Sequence, residues 1–363
     1  MSAKGMCIVA LKKWQGPLFI VGASRSGTAM LQAILNRSSD IGLAGETHFF
    51  DDLRPRLKEK SLRTMTPQER DTCADYFRVL ALRPYGVRAD PTQSPLSKEE
   101  LFAETEVRGD TADAVFEAYC RWHLKTAGGQ IWGEKTPRHI FRIREIFAAY
   151  PDARVICMVR DPRAVVASYR DWEFQGGLKK AEDNVDYQAA IAEDQTRKSA
   201  SYHIVIASMM WRASARAAVA AVSEYSDERV RILRYEDVVD TPATTIRRVS
   251  EWIGSDYVDS MLEIPLLNSS ATKFQAKAGP SSAPNKRWRS ALSEHEIAVI
   301  QRVVGSSLTQ AGYTREPARA RVIDLLSAYV TVPIAVAKAA KANRSRYTSL
   351  PSYVARRIKA AFR

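Results

Sequence analysis

Short, wholly apolar runs alternate along this chain with stretches in which apolar residues return every third or fourth position. Leu18-Phe19-Ile20-Val21 and Val155-Ile156-Cys157-Met158-Val159 are runs of the first kind, and Ile131-Trp132-Gly133-Glu134-Lys135 is a shorter one. Such runs, bounded by turn formers, mark strands buried on both faces, as in parallel sheets. Met30, Leu31, Ile34 and Leu35 follow the first run at helical spacing, up to the breaker Asn36-Arg37-Ser38-Ser39. A brief second strand over 41–47 ends in a polar loop. After Thr136-Pro137 the stripe Ile140, Phe141, Ile143, Ile146 and Phe147 predicts a helix, and Asp161-Pro162 starts another over 163–169. Further on the pattern predicts an Ala-rich helix over 204–223, a strand over 229–235, and a helix over 242–252 stopped by Gly254. Strands alternating with helices predict an α/β fold, a mainly parallel sheet with helices on both faces.

The segment 51–129 differs in character. It is charged and carries two helix starts, Thr66-Pro67-Gln68-Glu69 and Ser97-Lys98-Glu99-Glu100, both of which fit a capping box. A turn-rich connection over 83–95 lies between them. This segment reads as a helical insertion over one end of the sheet. A second polar, glycine-bearing segment over 171–199 reads as a flap.

Composition sets outer bounds. With 363 residues, 45% of them hydrophobic, the chain suits one large α/β domain or two smaller ones. No run is expected to reach the length of a membrane span. The first fifteen residues hold Lys4, Lys12 and Lys13 around a brief apolar patch that lacks the pattern of a signal peptide. Cys7, Cys73, Cys120 and Cys157 are scattered, with no C-x-x-C pair, so reduced thiols, a cytoplasmic setting and no metal site are expected. The formal net charge of +13 is unevenly spread: 316–363 holds ten Lys or Arg against two acidic residues. The expected organisation is therefore an N-terminal segment 1–16, a domain 17–315 and a basic amphipathic tail 316–363. Such a tail lies on an anionic membrane surface or packs on the domain with a solvated end; the residues fit both.

Two places carry candidate chemistry. Gly22-Ala23-Ser24-Arg25-Ser26-Gly27-Thr28 joins a buried strand to a helix, the plan of a P-loop-like turn whose backbone N–H groups converge on an anion. The nucleotide-triphosphate version is G-x-x-x-x-G-K-[ST]. Here Thr28 stands where the lysine would be and Ala29 where the magnesium-binding hydroxyl would be, while Arg25 puts a cation inside the loop. The second place is Arg160, at the carboxyl end of a strand, with Ser168 eight residues on. A guanidinium fork plus a hydroxyl suits a monoester phosphate. An Arg160–Asp161 ion pair beside an ordinary helix serine fits those residues equally well.

Together these segments resemble the sulfotransferase family that uses 3′-phosphoadenosine 5′-phosphosulfate, and within it the bacterial branch related to protein-tyrosine sulfotransferases. The stretch Phe19 through Thr28 looks like the loop that grips the 5′-phosphosulfate, and Val159 through Ser168 looks like the 3′-phosphate site. Gly45-Glu46-Thr47 resembles the region supplying the catalytic carboxylate, and Glu134-Lys135-Thr136-Pro137 the lysine segment. Leu233-Arg234-Tyr235 resembles a strand end whose tyrosine contacts the nucleotide. In Asn285-Lys286-Arg287-Trp288, either Lys286 or Arg287 matches the late basic residue that closes over it. Where the family often has a further basic residue, this chain has Trp172, with Arg170 as a substitute.

The resemblance implies sulfuryl transfer, without a metal, to a hydroxyl of a small-molecule, carbohydrate or lipid-linked acceptor bound near the insertion. It implies Glu46 as general base, with His48 and His139 as alternatives, and Lys135 and Arg25 as neutralising cations. It implies Ser26, Gly27, Thr28 and Ala29 at the 5′-phosphate, Arg160 and Ser168 at the 3′-phosphate, and Tyr235 with Lys286 or Arg287 on the nucleotide. Two competing readings are a small-molecule kinase with a P-loop-like turn and, resting on the tail, a membrane- or nucleic-acid-associated binding module. The leading reading involves no nucleic acid and allows peripheral membrane contact through the tail.

Overall fold

The computed structural model describes residues 14–57, 64–127, 130–171, 189, 192–193, 196–197, 199–264, 279–282 and 285–344. Most of the expected N-terminal segment and flap, Trp172 among the latter, and the tail beyond 344 lie outside the described residues.

Among the described residues five strands form the sheet: β1 (Leu18–Gly22), β2 (Ile41–Ala44), β3 (Ile131–Lys135), β4 (Arg154–Val159) and β5 (Val230–Arg234). All neighbours are parallel, in the order β2-β3-β1-β4-β5. In the central strand, Phe19 stands opposite Glu134 on one side and Val155 on the other.

A strand covered on both faces needs apolar residues at every position, which is why β1 shows no hydrophobic alternation. Its two faces still sort by the period of two. Leu18 and Ile20 share a core with Leu31 and Ile34 of α1 (Thr28–Leu35), Val238 of α8 (Tyr235–Asp240) and Ile246 and Ile253 of α9 (Pro242–Ile253). Phe19 and Val21 point the other way, into a core with Phe77 of α2 (Pro67–Leu82), Leu101 of α3 (Lys98–Arg108) and Phe116 of α4 (Ala112–Ala127). Ile146 of α5 (Ile143–Ala149), Val165 of α6 (Pro162–Arg170) and Trp211 of α7 (Ile204–Tyr225) complete it. The rings of Phe116 and Phe49 stack with centroids 4.7 Å apart, and Phe19 stacks on Phe116 at 6.2 Å.

Both capping boxes form. Thr66 and Ser97 accept from the backbone N–H of Glu69 and Glu100, whose carboxylates accept in return from the capping residues' N–H at 2.9 Å. Within the charged segment, α4 packs directly on β2 and β3 and is the crossover between them. Helix and strand approach so closely that a Cβ on Gly42 would sit 2.7 Å from the Leu124 Cα.

Two expectations change. The helix after Thr136-Pro137 begins as a 3-10 turn, Pro137–Phe141, before α5. Thr136 gives no capping bond because its hydroxyl donates to the buried Glu134 carboxylate at 2.9 Å. Among the described residues two helical stretches are long and apolar enough to cross a membrane by length and composition, against the expectation of none: Ile204–Tyr225 and Val322–Ala342. The first, α7, is a core helix whose apolar composition serves the sheet face it covers.

Phe116→Ala removes the ring that joins the sheet to the helical segment. It is expected to lower unfolding free energy by about 3–5 kcal/mol, read as a shifted urea midpoint. A midpoint within error of the parent would remove that stack from the stabilising core.

Candidate active site

β1 and β4 are neighbours, but the chain leaves them in opposite directions, toward β2 and β5. Open α/β sheets bind ligands at such a switch point, beyond the carboxyl ends of the strands. The loop after β1 carries Arg25 and the residue after β4 is Arg160, so both arginines stand there.

The loop is built around two special glycines and one strained arginine. Gly22 has φ +142°, and a Cβ there would lie 2.2 Å from the Met158 carbonyl oxygen, so the chain turns off the sheet only because no side chain intervenes. Gly27 caps α1 at φ +86°, with the Tyr235 ring where its Cβ would be. Arg25 adopts φ +72°, a left-handed conformation unfavourable for a side chain of this kind. No side chain caps α1, so the N–H groups of its first turn, at Thr28 and Ala29, lie open at the positive end of the helix. The Ser26 hydroxyl is fully buried and has no hydrogen-bond partner among the described residues.

The two arginines form one group. Arg25 Nε donates to Ser168 Oγ at 3.0 Å, and Arg160 Nη1 donates to the Arg25 carbonyl oxygen at 3.2 Å. The Arg160 guanidinium lies over the Tyr235 ring, 4.1 Å from its centroid. Burial first, and then the Arg160 charge, lower the Arg25 pKa to about 10. The local ion pair that competed for Arg160 in the sequence does not form. Asp161 caps α6 and gives its carboxylate to Arg163, which also lies over Trp288 at 4.3 Å.

The second group sits at the ends of β2 and β3. Lys135 Nζ lies 2.7 Å from Glu46 Oε1. The lysine side chain is 8% exposed and that of Glu46 is 41% exposed. His48 bridges Glu46, 3.4 Å from its Nε2, and Asp51, 3.2 Å from its Nδ1. Arg138 pairs with Asp51 at 3.0 Å. Burial pushes the Glu46 carboxyl up, but Lys135 and His48 outweigh it and hold the group well below the usual range. Burial likewise pushes His48 down, yet its bonds to Asp51 and Glu46 carry it above its ordinary value. Glu46 also acts on Arg25, which places the two groups within electrostatic reach of each other.

Beneath this pair lies a sealed network that pattern reading missed. Glu134 is fully buried and accepts from Thr47 Oγ1 and Thr136 Oγ1, and it pairs with His139 Nδ1. Thr47 N–H donates to Thr136 Oγ1 at 3.0 Å. These bonds pin the two loops that carry Glu46 and Lys135. The available signal was a carboxylate inside a strand otherwise read as buried. His139, the other candidate base, is fully buried in this network.

The late basic residues stand differently. Arg287 Nη2 donates to Asp171 at 2.9 Å, just past the helix that carries Ser168, while Lys286 is exposed. Arg170, the suggested substitute for the missing base, is instead held by Asp171, Glu296 and the Ala291 carbonyl.

The model of the Sulfotransferase family matches residues 17–259. Nodulation protein NoeE of Sinorhizobium fredii is 24% identical over 322 residues, covering 84% of this chain and 67% of that protein. Carbohydrate sulfotransferase 5 of Mus musculus is 24% identical over 170 residues, covering 44% of this chain and 41% of that protein. Among solved structures, the sulfotransferase domain from the curacin biosynthetic pathway superposes with TM-score 0.47 at 17% identity, over 83% of this chain and 99% of that one.

The pKa directions set a pH dependence. His48, raised, contributes stability that is full below its ordinary value of 6.5 and is lost as pH climbs through its raised one. Glu46 and Asp51, lowered, contribute stability that is full above 4.5 and 3.8 and is lost as pH falls through their native values. The stability gap between the parent and His48→Gln, from urea unfolding, is therefore expected to be larger at pH 6 than at pH 9. Equal gaps would mean that no His48 charge is stabilised in this network.

Proposed function

We propose that this chain, which belongs to the sulfotransferase family, moves a sulfuryl group from 3′-phosphoadenosine 5′-phosphosulfate to a hydroxyl of a small-molecule, carbohydrate or lipid-linked acceptor. Sulfotransferases act on hydroxyl acceptors such as carbohydrates or small molecules, and this chain is one of these enzymes. The observation that carries the residue-level reading is the meeting of Arg25, Arg160 and Ser168 at one switch point, beside the Glu46–Lys135 pair.

The residues fit the donor. An uncapped helix start and the buried, partnerless Ser26 hydroxyl suit a 5′-phosphate, and the Arg160 fork with the Ser168 hydroxyl suits a 3′-phosphate. Tyr235 supplies the flat surface beneath Arg160 and next to Gly27. The donor, when bound, supplies an activated sulfuryl group whose leaving group is the 5′-phosphate of adenosine 3′,5′-bisphosphate. Arg25 and Lys135 then meet the charge that grows on the sulfuryl and leaving oxygens, the kind of fixed electrostatic stabilisation that dominates such transfers. Arg287, by this reading, or Lys286 beside it, closes over the nucleotide.

Glu46 takes the acceptor proton. Paired with Lys135 it is a poor base, because a carboxylate held far below its usual range has little pull on a proton. Lys135, turned toward the sulfuryl oxygens, removes the cation that most lowers that basicity. One lysine thus couples donor occupancy to activation of the base. The setting is a cytoplasmic one with peripheral membrane contact through the C-terminal region, which brings lipid-linked acceptors within reach.

Glu46→Gln is expected to lower turnover by about 10²–10⁴-fold while calorimetry finds adenosine 3′,5′-bisphosphate bound as before. Undiminished turnover would take Glu46 out of the mechanism. Arg160→Ala is expected to weaken adenosine 3′,5′-bisphosphate far more than adenosine 5′-monophosphate. Equal losses for the two ligands would contradict the 3′-phosphate assignment.

A further inference from the structure

We infer that the outward face of the two C-terminal helices is a docking surface for an anionic lipid bilayer. The inference stands on those helices alone, apart from the donor site. The helices Val322–Val330 and Val332–Ala342 follow one another with only Thr331 between them. Six of the nine large hydrophobic side chains exposed among the described residues lie on them. Val322 is 72% exposed, Leu326 57%, Val330 71% and Ile334 59%. These four recur every fourth residue, so they share one stripe, and Ile323 lies alongside.

The opposite face is taken. Leu325, Ala328 and Val332 pack on Val205 of α7 and on Val299 and Val303 of α10 (Glu294–Val304). Polar bonds pin the pair at its middle and its end. His203 and Thr331 meet at 3.0 Å, and Asn343, 3% exposed, accepts from Arg197 at 2.8 Å and donates to Ser201 at 3.1 Å. The stretch is long and apolar enough to cross a bilayer, with mean hydropathy 1.6. Crossing would break all of these contacts and bury their polar partners. Held as it is, the segment lies flat on the domain and turns its apolar stripe outward, the geometry of an interfacial helix.

Charge selects the occupant. Asp324 is the last acidic residue: from 325 to 363 the chain has eight Lys or Arg and no Asp or Glu. Lys338, Lys341 and Arg344 are exposed on or just beyond the second helix. A second copy of this chain seated across a twofold axis would bring these like charges together. An anionic leaflet meets the apolar stripe with its acyl boundary and the cations with its headgroups.

The test is flotation of the full chain with vesicles of phosphatidylglycerol and phosphatidylcholine, against vesicles of phosphatidylcholine alone. The parent is expected to float with the anionic vesicles and at least tenfold less with the neutral ones. Leu326→Asp/Val330→Asp is expected to stay at the bottom of the gradient. Lys338→Glu/Lys341→Glu, which leaves the packed face untouched, is expected to lose most of the anionic preference. Failure of the parent to float, or equal flotation of parent and both variants, would overturn the inference. So would a concentration-dependent dimer in light scattering that the Asp variant abolishes, with no flotation. Adenosine 3′,5′-bisphosphate binding, measured on the same variants, reports on the donor site separately and is expected to be unchanged.

Discussion

Two arginines joined at the edge of a sheet, the Arg160 guanidinium on the Arg25 backbone carbonyl, set the terms for the rest of this molecule. Burial costs the Arg25 guanidinium most and the Arg160 charge adds to that cost, which is why the Arg25 pKa falls. The fold holds them together anyway. The Arg25 backbone accepts from Arg160, the Ser168 hydroxyl accepts from Arg25, and the Tyr235 ring lies under Arg160. Asp161, the nearest carboxylate in sequence, is occupied by Arg163. By the function proposed above, an anion at this pair would offset that cost, and the offset would add to binding free energy.

The carboxylate side of the cleft follows the opposite rule. There Lys135, Glu46, His48, Asp51 and Arg138 follow one another, and with His48 protonated each has an opposite neighbour. Below them Glu134 is wholly removed from water, and a buried carboxylate is tolerated only when its oxygens are bonded. Two threonines bond one of its oxygens and His139 stands against the other, and the threonine bonds tie together the loops that end β2 and β3. The Glu46–Lys135 pair is fixed in position by the bonded anchor beneath it.

Much of the frame was legible in the chain. Buried strands announced themselves as apolar runs, and the boxes at Thr66 and Ser97 as four-residue patterns, because both signals are local. The loop around Arg25 and the Arg160 strand end were legible for the same reason. The Arg163–Asp161 fork was not, since choosing between two arginines for one carboxylate requires the helix geometry after Asp161. Nor was the Glu134 network, which joins residues 87 positions apart through the sheet. Arg170 misled because its partners Glu296 and Ala291 lie more than a hundred residues away. The outward apolar stripe near the C-terminus was legible as composition, but only its packed inner face shows which side is left over.

The left-handed backbone at Arg25 has a consequence for how such a chain changes over time. A side chain in that conformation costs about 1–2 kcal/mol, and glycine would sit there without penalty. The most comfortable residue for the turn is thus one that carries no cation. If Arg25 grips the donor as proposed above, heat resistance and ligand affinity pull this single position in opposite directions. A lineage selected for thermal endurance alone would drift toward an undamaged fold with an emptied function.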